Sequence, residues 1–90
     1  MTPHPTTAEL IAKECDDLKA FLIAKNEAYG DSAMKPVGIF SKLPPGAQLD
    51  VRIDDKLSRI ANGHEFPGDD TILDLLGYLM LKRIQNRLAQ

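Results

Sequence analysis

Ninety residues with 43% hydrophobic content are expected to form one small helical domain over residues 1–90, near the size at which a single core is marginally stable and self-association helps. A formal charge of −2, with the basic residues scattered among acids, offers no general attraction for a polyanion and argues against duplex nucleic acid as a partner. The single Cys15 excludes an internal disulfide framework, no signal-peptide succession opens the chain, and the longest apolar run, Ile72 to Leu81, is interrupted by Asp74 and Gly77; a reducing cytoplasm is the expected location, with no membrane insertion.

In chain order, residues 1–5 are expected to be a flexible arm, because Pro3 and Pro5 keep their neighbours out of a helix. Thr6-Thr-Ala-Glu9 matches a capping box and predicts the start of helix one. Ile11, Cys15, Leu18, Leu22 and Tyr29 recur at steps of three, four and seven, so the helix should pack along that stripe and end near Tyr29-Gly30. Between Asp31 and Pro45 no period survives, and Pro36, Gly38, Pro44, Pro45 and Gly46 punctuate a connection that holds Val37, Ile39, Phe40 and Leu43. So long a connection with that apolar content predicts a packed, functional loop.

Leu49, Ile53, Leu57 and Ile60 predict the buried line of helix two, with Asp50, Arg52, Asp54, Asp55, Lys56 and Arg59 outward and a left-handed stop at Asn62-Gly63. After the short Gly63 to Gly68 turn, Asp69 or Asp70 should cap helix three, which runs to about Leu88. Its apolar residues surround most of the circumference, which predicts either a central helix or an oligomer interface.

Asp74 is the most informative single residue, because a carboxylate in the most apolar segment needs a cationic partner or a metal. The short turn makes helices two and three antiparallel neighbours, which should bring Arg59 near Asp70 and Asp74, with Asp54 or Asp55 about one turn further on. Two readings follow. In one, Asp54, Asp55, Asp70 and Asp74 supply oxygen ligands to Mg²⁺. In the other, Asp55 pairs with Arg59, Asp70 caps the helix, and Asp74 pairs with Arg59 or Lys56.

Lys25 and Tyr29 stand four apart on one helical face, followed by Gly30, Asp31 and Ser32, so an ammonium, a phenol and backbone N–H groups can converge on an anion or a base. The alternative is a plain helix end, with Gly30 as C-cap, Tyr29 in the core and Lys25 in solvent. Gly77 predicts a close approach of another helix or a ligand, and Cys15 a small buried hydrophobe. His4 and His64 stand alone, and the spacing supports no zinc site, Walker loop or Ser-His-Asp grouping.

Three segments, Lys25 to Ser32 with Pro36 following, Val51 to Ile60, and Asp69 to Tyr78, together resemble the phage and prophage family called nucleotide modification associated domain 1. The likeness covers Lys25 to Leu81. That family is in turn similar to the all-α nucleoside triphosphate pyrophosphatases of the MazG and dUTPase type, in which acidic residues on two neighbouring helices hold Mg²⁺ around a triphosphate. The resemblance implies attack by a metal-bound water on the α–β phosphate link. Asp54, Asp55, Asp70 and Asp74 would then be metal-side residues, and Lys25, Tyr29, Asp31, Ser32 and Arg59 would touch the nucleotide. It also implies the cytoplasm of a bacterial host. The chain departs from the pattern where those enzymes carry two glutamates three apart: here Asp54-Asp55 is followed by Lys56 and Arg59, basic residues that could neutralise the site, which leaves open both a hydrolase and a descendant that only binds.

The expectation is therefore an all-α fold with three main helices, a long structured loop between the first two, and an antiparallel hairpin of the second and third, assembling as a homo-oligomer through helix three. The expected function is binding of a nucleotide or nucleoside phosphate, as a relative of Mg²⁺-dependent pyrophosphohydrolases. The competing expectation is a non-catalytic helical interaction protein, a phage factor that meets a host protein through its acidic face and the loop-borne Ile39-Phe40.

Overall fold

A computed structural model of the chain describes residues 3–63 and 65–90; Met1 and Thr2 of the expected arm, and His64 of the turn, lie outside them. The described chain is all-α, with α1 over Thr7–Ala28, α2 over Pro45–Asn62 and α3 over Thr71–Leu88. Helices α2 and α3 form the antiparallel hairpin, and α1 packs on α3 alone. No described helix is long and apolar enough to cross a membrane.

Local chemistry sets every helix end. The Thr6 hydroxyl accepts the Glu9 N–H at 3.1 Å and donates to Glu9 Oε1 at 3.1 Å, so the glutamate engages the capping hydroxyl within the predicted box. At the other end of α1, Tyr29 N–H reaches Lys25 O at 2.9 Å and Asp31 N–H reaches Asn26 O at 3.1 Å, the six-to-one bond of a Schellman motif. Gly30 and Asp31 both take left-handed backbone, with φ of 60° and 63°. Pro45 opens α2, where a missing N–H costs nothing, and Gly63 closes it at φ 69°. Asp70 caps α3 by accepting the Leu73 N–H at 3.0 Å.

Ion pairs record the register of the hairpin. Arg59 meets Asp69 at 3.2 Å, Lys56 meets Asp74 at 3.4 Å, and Asp50 meets Lys82 at 2.6 Å, each further from the turn than the one before. Of the expected placement of Arg59 near Asp70 and Asp74, this register corrects the second part: Arg59 reaches Asp69, next to Asp70, and Lys56 opposes Asp74.

Packing departs from the expected stripes in three places. On α1 no residue is buried; Leu18 and Leu22 are half-covered, while Ile11, Tyr29 and Cys15 are exposed. Only α3 supports this helix, and it does so near one point. On α2, Leu49 is fully buried and Ile53 partly, but Leu57 and Ile60 are exposed; Arg52 and Lys56, expected outward, are the half-buried residues instead. In the first interhelical loop, Val37, Ile39 and Phe40 face solvent, with Phe40 99% exposed, so the loop is turned and hydrogen-bonded at residues 31–35 but not packed at its apolar tip. Gly77 does what the sequence implied: a Cβ there would lie 2.6 Å from Leu22 Cδ2, so its absence lets α1 cross α3 closely.

Candidate functional site

Where α1 ends against the hairpin, a cleft of about 230 Å³ opens. Helix α1 and its terminal turn contribute Phe21, Lys25, Asn26, Tyr29, Asp31 and Ser32; α2 contributes Arg52; α3 contributes Asp74, Gly77 and Tyr78. Each set follows from helical spacing. Phe21, Lys25 and Tyr29 are at four-residue steps on α1, as are Asp74 and Tyr78 on α3. The Schellman turn folds Asp31 and Ser32 back toward the same face.

At the base of the cleft, Asp74 is 17% exposed and shared by two ammonium groups, Lys25 Nζ at 3.5 Å and Lys56 Nζ at 3.4 Å. Both distances are long for charge-assisted hydrogen bonds, so the three groups form a loose triad. Lys25 also stands over the Phe21 ring at 5.0 Å. Across the cleft, the Arg52 guanidinium lies 6.0 Å from the centre of the Tyr78 ring and has no carboxylate partner among the described residues. Asp31 accepts from the Asn26 amide at 2.7 Å. Two cations, Lys25 and Arg52, therefore line the cleft with two carboxylates, Asp31 and Asp74, and because Lys56 reaches Asp74 from outside the lining, Asp74 is already compensated and Arg52 is the cation left open to a ligand.

The residues singled out from sequence are divided by the fold. Lys25, Tyr29, Asp31, Ser32 and Asp74 come together in the cleft. Arg59 is held outside it by Asp69. Asp70 is used as the α3 cap, and Asp54 and Asp55 are exposed on α2 without an ion-pair partner among the described residues. The pairing of Asp74 with Lys56 and the capping by Asp70 match the alternative weighed for these carboxylates; the proposed pair of Asp55 with Arg59 does not form. Among the described residues no three His, Cys, Asp or Glu side chains gather as a metal-binding group.

Arg52, Phe21 and Tyr78 escaped the sequence reading. The signal was available for Arg52: it precedes Lys56 by one turn on α2, just as Asp74 precedes Tyr78 on α3, and antiparallel register then sets Arg52 against Tyr78 once Lys56 is set against Asp74. Comparison with protein-family models, curated proteins and solved structures returns no match for this chain.

Proposed function

We propose that the cleft binds a nucleotide or nucleoside phosphate. The observation that carries this reading is Arg52, without a carboxylate partner among the described residues, beside Tyr78 in a cleft that the exposed Tyr29 also lines. A guanidinium offers planar paired donors to phosphate and a face on which a base can stack. Aromatic faces add sequence-tolerant stacking worth about 1–3 kcal/mol per base. The cleft, about 230 Å³, is smaller than the roughly 300–1,000 Å³ of sites that enclose drug-sized molecules, so it would hold part of a nucleotide and leave the rest at its open side. The likeness of Lys25–Ser32, Val51–Ile60 and Asp69–Tyr78 to a phage and prophage nucleotide-associated family supports the same ligand class and a phage setting.

Without a cluster of three metal-capable side chains among the described residues, the chain does not fit a self-sufficient Mg²⁺ site. Magnesium enters this reading only as an ion that the phosphates bring with them, which is how Mg²⁺ commonly reaches nucleotide sites. The test is a thermal-shift and calorimetric titration of nucleoside mono-, di- and triphosphates with and without Mg²⁺, on wild type and Arg52→Gln. Binding to wild type and at least tenfold weaker binding to Arg52→Gln is the expected result. No binding of any nucleotide at millimolar concentration overturns it. Release of pyrophosphate from triphosphates in the same samples separates a hydrolase from a binding protein.

One observation favours a second reading, a protein-interaction module: Ile39 and Phe40 stand in solvent on the first loop. A partner captured stoichiometrically by wild type and Arg52→Gln alike, and lost with Phe40→Ser, distinguishes it.

A further inference from the structure

A folded monomer of 9.9 kDa exposes roughly 5,200 Å² when compact, whereas this chain exposes 7210 Å². Its radius of gyration is 15.7 Å, against about 12 Å for a compact chain of this length. The surplus surface, about 2,000 Å², is spread over the molecule, and part of it lies where α1 and α3 diverge beyond Gly77. There a groove of about 670 Å³ runs between the two helices, its walls built by Leu18, Leu22 and Ile23 on one side and Met80, Ile84 and Leu88 on the other.

We infer that a second copy of this chain fills the groove, forming a two-fold homodimer that also closes the open side of the cleft. The exposed surface is compatible with that occupant: obligate homodimers bury roughly 2,000–5,000 Å² in total, and two chains that each carry a surplus of about 2,000 Å² can supply it.

Charge supports a two-fold axis. Lys19 and Glu27 border the groove on α1, each four residues from Ile23. Crossing two α1 helices antiparallel at Ile23 sets Lys19 of each chain opposite Glu27 of the other, the self-complementary arrangement that an isologous interface requires. Leu22, Asn26, Asp31 and Leu81 line both the groove and the nucleotide cleft. The second copy therefore becomes a wall of the site, and a cleft that is small and open in one chain is completed by two.

The experiment is analytical ultracentrifugation of the full chain from 1 to 200 µM without nucleotide, on wild type, Ile23→Glu, Lys19→Glu and the Lys19→Glu/Glu27→Lys double variant. Circular dichroism checks helicity, and the rate of Cys15 modification by a thiol reagent reports groove access, because that thiol lies in the groove wall. The expected result is a wild-type dimer with a slow thiol and an Ile23→Glu monomer with retained helices and a fast thiol. Lys19→Glu should weaken association severalfold and the double variant restore it. A wild-type monomer with an accessible thiol across the range overturns the proposal and leaves the groove to a foreign partner; so does a dimer that Ile23→Glu leaves intact. No nucleotide is present, so this outcome is independent of the ligand reading.

Discussion

Asp74 shows how little one residue's identity says until its neighbours are known. As a carboxylate within an apolar helix it demanded compensation, and the fold supplies two lysines from two different helices. Asp74→Asn should destabilise the chain by about 1–2 kcal/mol in urea unfolding, between the cost of breaking an exposed pair and that of stranding a fully buried one. In the nucleotide reading, the same variant makes the cleft more positive, so Mg²⁺-free nucleotide should bind as tightly as to wild type or tighter; weaker binding would show that the carboxylate itself contacts the ligand. Thr71 makes the opposite case. Its backbone N–H reaches Glu65 Oε1 at 2.8 Å, but its hydroxyl, on a residue 4% exposed, has no partner among the described residues. Thr71→Val removes a desolvated polar atom and should be neutral or stabilising by up to about 1 kcal/mol, measured by the same unfolding curves.

At the scale of elements, α1 is the outlier. Helices α2 and α3 are joined through Leu49, two ion pairs between them and a third from Arg59 to Asp69 in the turn, whereas α1 leans on α3 near Gly77 and buries none of its residues. A helix of 22 residues held by caps and i,i+4 pairs such as Lys13–Asp17, at 3.0 Å, lacks most of the tertiary packing from which helices in proteins draw their stability. Amide exchange should therefore be fastest in α1 in dilute solution and slow as concentration rises, while the centres of α2 and α3 change less. Equal protection of all three helices at low micromolar concentration would contradict this. The helices themselves were legible in the sequence because their stops are local: Thr6, the Tyr29-Gly30 end, Gly63 and Asp70 each act within a few residues of the backbone they cap. The rotation of α2 was not. Its hydrophobic line suggested Leu57 and Ile60 as inward, yet the half-buried face carries Arg52 and Lys56, because Asp74 and Tyr78 on α3 answer those residues.

For the whole molecule, one fully buried hydrophobic side chain among the described residues, Leu49, is a thin core. Stability should accordingly depend on assembly: the thermal midpoint should rise with protein concentration, as mass action requires when only the assembled state is well packed. A midpoint constant over a hundredfold range, read by scanning calorimetry, would contradict that.

By itself the sequence determined the helix count and class, the capped boundaries at Thr6, Tyr29-Gly30, Gly63 and Asp70, and the need of Asp74 for a charged partner, because capping, periodicity and desolvation act over short distances. Tertiary structure decided which residues share the cleft. It separated Arg59 from Lys25 and brought in Arg52, Phe21 and Tyr78, since helix register and rotation are set by contacts between residues far apart in the chain. It also showed that the apolar stripe of α1, which the sequence marked as buried, is covered only in part within one chain, at Leu18 and Leu22: periodicity states that a face must be buried, and only the packed structure shows how far the same chain can bury it.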